Sequence, residues 1–234
     1  MIKQKVVNSA LDLTGLMPKL EVDMVGVASI ADWKGTKLEE MALKLLPQAR
    51  SVVVMAMEIF PEILDLSSPE KITGAASPGE LVARNADYLS GRLTRAAYEV
   101  VKASHKVGLK ALPLPAAGCP VDSRFLQAVL SYKHAAQAAG LGKIGWHSLL
   151  ITPRFGPRVR LSCCLTEAVL EPTQGNTTIE CDSCGVCLKN CPAGALKEPQ
   201  AGEQYSINKF ACSAFRNASG GACSECMRVC PMGR

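Results

Sequence analysis

Apolar residues recur along this chain at two different spacings, and the switches between them divide it into alternating helices and strands. Residues 2–15 read as a helix, Met24-Val25-Gly26-Val27-Ala28 as a short strand, and 37–46 as a second helix that ends before Pro47. Ser51-Val52-Val53-Val54-Met55-Ala56-Met57 is an unbroken apolar, partly β-branched run, the pattern of a strand buried on both faces. A long helix is expected over 79–106, where Val82, Ala86, Leu89, Leu93, Ala96 and Val100 form one apolar stripe. Leu109 to Pro115 then reads as a strand and 123–139 as a helix. Between Pro157 and Leu170 the alternation Arg158-Val159-Arg160-Leu161 marks a further strand. This mixed order predicts an α/β or α+β layered domain over residues 1–177, with a smaller unit at 178–234.

The smaller unit is where the chemistry is written. Eight of the eleven cysteines fall into two arrays, Cys181-x2-Cys184-x2-Cys187-x3-Cys191-Pro192 and Cys212 followed by Cys223-x2-Cys226-x3-Cys230-Pro231. Three closely spaced thiolates can grip three irons of a cubane, while the fourth cysteine of each array serves the other cluster. The spacing therefore predicts a ferredoxin-like module with two 4Fe-4S clusters. One takes Cys181, Cys184, Cys187 and Cys230; the other takes Cys191, Cys212, Cys223 and Cys226. Cys212 stands upstream of its array, so Ser213 to Ala222 is expected to loop, with Gly220-Gly221 suited to the turn. Zinc sites more often use two separated cysteine pairs, and disulfides need an oxidising compartment. No apolar signal segment precedes residue 30, which points to a reducing cytoplasm. Cys119, Cys163 and Cys164 lie outside the arrays, and the last two fit a buried strand as small hydrophobes.

Composition adjusts this picture in two ways. The chain has 234 residues and is 48% hydrophobic, so the residues before the cysteine arrays are enough for a packed domain, and no stretch is long enough to span a membrane. The formal charge of +5 counts every cysteine as neutral; with two oxidised clusters in place it falls to roughly +1. Nothing in that balance argues for nucleic-acid binding.

Gly140-Leu141-Gly142-Lys143-Ile144-Gly145 matches G-x-G-x-x-G, but the dinucleotide fingerprint needs a strand before it and a helix after. Here Tyr132 to Ala139 is helical in character and Trp146 to Ile151 strand-like. Gly140 is better read as a helix C-cap, with Gly142 and Gly145 as close-approach positions beside either a cofactor or a strand; the cofactor is the expectation.

The stretch from Ala135 to Arg160, with Gly140-Leu141-Gly142-Lys143-Ile144-Gly145-Trp146-His147-Ser148 at its centre, followed by the two cysteine arrays, resembles epoxyqueuosine reductase and the catalytic part of reductive dehalogenases. The likeness extends upstream through Ala49 to Met55 and Asp87-Tyr88-Leu89. It implies an α+β fold: a nitroreductase-like layered domain that holds base-off cobalamin, followed by the two-cluster module that delivers electrons to cobalt. Gly140, Gly142, Gly145, His147, Leu150, Leu161 and Ser213 would then lie against the cofactor. Asp122, in Pro120-Val121-Asp122-Ser123, matches the proton donor of epoxyqueuosine reductase, although Asp122 or Ser123 could equally cap the helix that follows. Tyr132 is the counterpart candidate from the dehalogenases, with Lys133 and His134 beside it. The chain stops at Arg234, without the C-terminal helical region that contacts tRNA in epoxyqueuosine reductases, and it carries no twin-arginine signal. It reads as a minimal member of the group whose substrate is not inherited.

The expectation is a cytoplasmic oxidoreductase that takes electrons from a ferredoxin or flavodoxin and reduces a small organic molecule on cobalamin. An electron carrier with no catalytic cofactor and a flavin reductase are the rival readings. The stripe on the 79–106 helix could serve a homodimer or simply pack within the domain.

Overall fold

The computed structural model describes residues 11–68, 79–175, 179–219 and 223–233. The chain order is helix α1 (Leu13–Leu20), strand β1 (Met24–Ser29), a 3-10 turn (Ile30–Trp33), α2 (Lys37–Leu45), β2 (Ser51–Glu58), α3 (Pro61–Asp65) and α4 (Gly79–Lys106). There follow β3 (Ala111–Leu114), β4 (Val121–Asp122), β5 (Gln127–Ala128), α5 (Tyr132–Ala138), β6 (Lys143–Ile144), β7 (Leu150–Ile151) and β8 (Val159–Thr166). The cysteine-rich part contains α6 (Val186–Lys189), β9 (Leu196–Lys197), β10 (Ser206–Ile207), α7 (Lys209–Ala218) and α8 (Glu225–Arg228).

A four-stranded antiparallel sheet in the order β1-β2-β8-β3 forms the centre. Side chains on a strand alternate between faces, and β2 shows the result. Val52, Val54 and Ala56 join the core under α2 and α5, whereas Val53, Met55 and Met57 join the core under α1 and α4. The same split on β8 sends Cys163 and Leu165 one way and Cys164 the other. Helices on both faces explain why β2 can be apolar throughout. They also account for Cys163 and Cys164, whose thiols burial pushes up, to about 12 for Cys164.

On α4, Leu89, Leu93, Ala96, Ala97 and Val100 pack on the sheet. Val82 and Ala86, earlier in the same stripe, instead wall a cavity, so the stripe is used within the chain.

Three expectations are corrected. A helix begins at Leu13, where Asp12 Oδ1 accepts the Gly15 amide at 3.0 Å and caps it, rather than ending at 15; residues 2–10 of that expectation lie outside the described residues. The span 123–131 is not helical. Asp122 Oδ1 accepts the Arg124 amide at 3.0 Å, Leu126 takes a left-handed φ of 47°, and Val121 and Asp122 pair with Ala128 and Gln127 as a short hairpin. This Asx-type turn competes with the helix that the apolar residues alone suggest. Finally, Ser213 to Ala218 is helix rather than loop, because α7 is nucleated by Asn208, whose side chain accepts the Ala211 amide at 3.0 Å. The Gly220-Gly221 turn and the boundary near residue 178 fall outside the described residues.

Leu93 has no exposed surface. Leu93→Ala should cost about 2–5 kcal/mol, read as a lowered midpoint in anaerobic urea unfolding. A change within error would show that α4 is not fixed to the sheet at this point.

Candidate electron-transfer and cofactor site

The first cysteine array is shaped by its backbone. Ser183 and Gly185 take positive φ angles of 58° and 69°, and the Asp182 carboxylate accepts the Cys184 amide at 3.2 Å. Cys187 rides on α6, and Cys191 follows the end of that helix, where its sulfur accepts the Ala195 amide at 3.4 Å. Cys212 lies on α7, Cys226 on α8, and Cys230 just beyond α8.

The thiols that act on one another fall into two sets. Burial pushes Cys187 up to about 11, and Cys181, Cys230 and Cys184 add to the shift. Cys230 is likewise raised by burial and, against a bond from the Met232 amide, by Cys181, Cys184 and Asp182. In the second set Cys226 is pushed up to about 12 by burial and then by Cys223, Cys212, Cys191 and Cys187. Cys212 is raised by burial, with Arg216 opposing and Cys223 and Cys191 adding to the rise. Among the described residues no three of these groups converge on a single ion's position. Tetrahedral zinc would need four sulfurs at about 2.3 Å from one point, whereas a cubane takes each thiolate on a different iron.

Two cavities lie in this part of the fold, and the smaller adjoins these sulfurs. The smaller, about 500 Å³, has Cys191, Cys212, Cys223 and Cys226 in its wall, with His147, Asn85, Arg160 and Arg216. The larger, about 1100 Å³, lies between the layered domain and β9–β10, walled by Trp33, Met41, Cys119, Tyr132, Lys133 and Tyr205 among others. Ser148 and Ile207 line both. The charged side chains in the larger wall are Lys37, Lys133 and Lys209, and no carboxylate faces them among the described lining residues.

Lys133 and Tyr132 are both strongly perturbed in that cavity. Lys133 Nζ donates to the Ser148 carbonyl at 2.8 Å and sits 3.9 Å from the centre of the Tyr205 ring. Burial, helped by Lys209, brings it down to about 8. The Tyr132 hydroxyl donates to the Pro115 carbonyl at 2.9 Å and lies 3.1 Å from Cys119 Sγ; burial and Cys119 raise it far above a phenol's usual value, so it holds its proton. His134 Nδ1 is 2.6 Å from Ser131 Oγ, and burial lowers its pKa.

The remaining sequence candidates are dispersed. Asp122 is outside both walls, in an exposed ion pair with Arg124 at 2.8 Å that lowers its pKa. Gly140, at φ 71°, completes a Schellman cap on α5: its amide reaches the Gln137 carbonyl at 3.1 Å, and Leu141 N–H reaches Ala136 at 3.0 Å. A Cβ on Gly142 would overlap the Ile151 carbonyl, and one on Gly145 would press on the Ile151 side chain. These two glycines thus allow β6 and β7 to close, and none of the three lines a cavity. Leu150 and Leu161 belong to the core facing α5, and Ser213 sits on α7 outside both walls. His147 is buried in the smaller wall, and burial and Lys133 bring its pKa down to about 4. Tyr205 and Lys209, absent from the sequence candidates, reach the larger cavity only because β9–β10 folds back, and no local motif announces that.

No family profile matches the chain. A tetrachloroethene reductive dehalogenase from Desulfitobacterium hafniense is 28% identical over 200 residues, 77% of this chain and 32% of the relative. Epoxyqueuosine reductase from Bacillus subtilis is 33% identical over 117 residues, 45% of this chain and 30% of that enzyme. A solved reductive dehalogenase, described as carrying out B12-dependent dehalogenation, superimposes with a TM-score of 0.65 over 95% of this chain and 31% of its own, at 19% identity. The chain spans about a third of the length of these relatives.

A pKa near 8 makes Lys133 an ammonium below that pH and an amine above it. The unfolded chain holds more protons at this site between about pH 8 and the ordinary 10.5, so its contribution to stability should rise with pH through that window. In ¹³C-methylated protein, with the signal assigned by Lys133→Arg, one lysine should titrate near pH 8 while exposed lysines titrate near the usual value of about 10.4. Titration of every lysine together would refute the buried site.

Proposed function

From its relationship to the reductive dehalogenases and epoxyqueuosine reductases, we propose that the chain is a cobalamin-dependent reductase in which two 4Fe-4S clusters pass electrons to a base-off corrinoid. The observation that carries this reading is the pair of adjoining cavities, one walled by a cysteine quartet, the other of about 1100 Å³, separated by Ser148 and Ile207. The larger exceeds the roughly 300–1,000 Å³ of ordinary small-molecule pockets, a size that suits a tetrapyrrole. Cys181, Cys184, Cys187 and Cys230 would hold one cluster and Cys191, Cys212, Cys223 and Cys226 the other.

Bound cobalamin would supply low-potential chemistry at cobalt for reducing a small organic substrate. The chain's own residues do the rest. Trp33, Leu38, Met41 and Leu130 give the larger cavity apolar surface that excludes water. Lys133, held between the Ser148 carbonyl and the Tyr205 ring, has a proton it can release near neutral pH, as reduction of a polar bond requires. Tyr132 reads as the residue that fixes Cys119 and the Pro115 carbonyl, and Asp122 could act only after leaving Arg124. The electron donor would be a ferredoxin or flavodoxin in a cytoplasmic setting. Among the described residues no helix is long and apolar enough to cross a membrane.

Anaerobic reconstitution with iron, sulfide and cobalamin tests the proposal. The expected product retains two four-iron clusters and one corrinoid per chain after desalting, and Lys133→Met keeps both but slows turnover. Two intact clusters with no retained corrinoid would favour a plain electron carrier and end the reductase reading; a flavin extracted instead would replace the cofactor.

A further inference from the structure

His147 is 3% exposed, in the turn between β6 and β7, and its two ring nitrogens differ. Nδ1 accepts the Leu149 amide at 3.1 Å. A neutral imidazole carries one proton, so an accepting Nδ1 places it on Nε2. That Nε2 has no hydrogen-bond partner among the described residues.

A buried donor without an acceptor is costly and rare in folded proteins. The ring lines the smaller cavity, whose wall offers the sulfurs of Cys191, Cys212, Cys223 and Cys226. The Asn85 Oδ1 in the same wall is also unpartnered, and no hydrogen bond joins it to the ring. Cluster sulfurs are acceptors, and N–H groups aimed at them are a recognised means of setting a cluster's potential.

The geometry points to His147 as a positioning residue for electron transfer: its Nε2–H would donate to an inorganic sulfur of the cluster that Cys191, Cys212, Cys223 and Cys226 would hold, raising that cluster's reduction potential. Donation withdraws electron density from sulfur and favours the reduced, more negative core. The inference rests on the cluster assignment proposed above and is independent of whether a corrinoid binds.

Anaerobic redox titration of the full chain, followed by electron paramagnetic resonance, compares the wild type with His147→Phe and His147→Gln. In His147→Phe, the reduced-to-oxidised ratio of the second cluster at its wild-type midpoint should fall about tenfold, equivalent to about 59 mV for a one-electron couple, while the first cluster is unmoved. His147→Gln, whose amide can donate, should recover part of the shift. Wild-type protein labelled with ¹⁵N-histidine should also show nitrogen hyperfine coupling on the reduced second cluster. That measurement needs no variant, so it decides the matter even where His147→Phe does not fold. An unmoved midpoint in a two-cluster His147→Phe, or no coupling in the labelled wild type, overturns the inference. Iron and sulfide analysis separates this from the cluster reading, which fails only where the wild type assembles fewer than two clusters.

Discussion

Backbone meets backbone where Met232 and Gly233 come against Gly156, and that contact fixes the cysteine-rich segment on the layered domain. A Cβ on Gly156 would overlap the Met232 carbonyl, and one on Gly233 would overlap Gly156. Beside this approach the buried Arg158 donates from Nη2 to the Gly233 carbonyl at 2.6 Å. Met227, on α8, packs into the same core as α4, which ties the cysteine-rich segment to the layered domain at a second point. With the segment anchored so, Tyr205, Ile207 and Lys209 come to face Tyr132 and Lys133. A side chain at either glycine would push the two parts apart.

What the chain spells out locally was legible. Strand β2 and helix α4 announce themselves because their burial is continuous with sequence: one is covered on both faces, the other presents a stripe to a flat sheet. The cysteine arrays are only partly local: Cys181, Cys184 and Cys187 share one short segment, whereas Cys212 stands on α7, apart from Cys226 on α8. The hairpin at Val121–Ala128 was not legible, because a single carboxylate bonding an amide two residues on redirected a segment whose apolar residues suit a helix. The larger cavity was illegible for another reason. Lys133 and Tyr205 are far apart in sequence, and only the fold brings Nζ to 3.9 Å from the ring centre. The glycine-rich motif misleads in a similar way: its small residues admit Ile151 backbone and side chain.

The likeness to known reductases is one of fold and partial sequence. The larger cavity is lined by lysines without a facing carboxylate among the described residues, which suits an anionic group on whatever it binds. Burial, more than any ion pair, tunes Lys133, so its acidity comes from the apolar wall and would fall away if water entered.

Charged side chains stand beside both cysteine quartets. Beside the first, Asp182 bears on Cys230 and raises it. Beside the second, Arg216 acts in the opposite sense on Cys212, and Arg160 shares the cavity wall with Asp87 and Glu225. A cluster becomes more negative on reduction, so positive neighbours favour its reduced state and negative neighbours oppose it. The second quartet is the one whose cavity shares Ser148 and Ile207 with the larger cavity. The two sets lie near enough for Cys187 to act on Cys226. Were clusters held as proposed, Asp182 would oppose reduction at the first quartet and Arg216 would favour it at the second, with Asp87 and Glu225 set against Arg160 in the second wall.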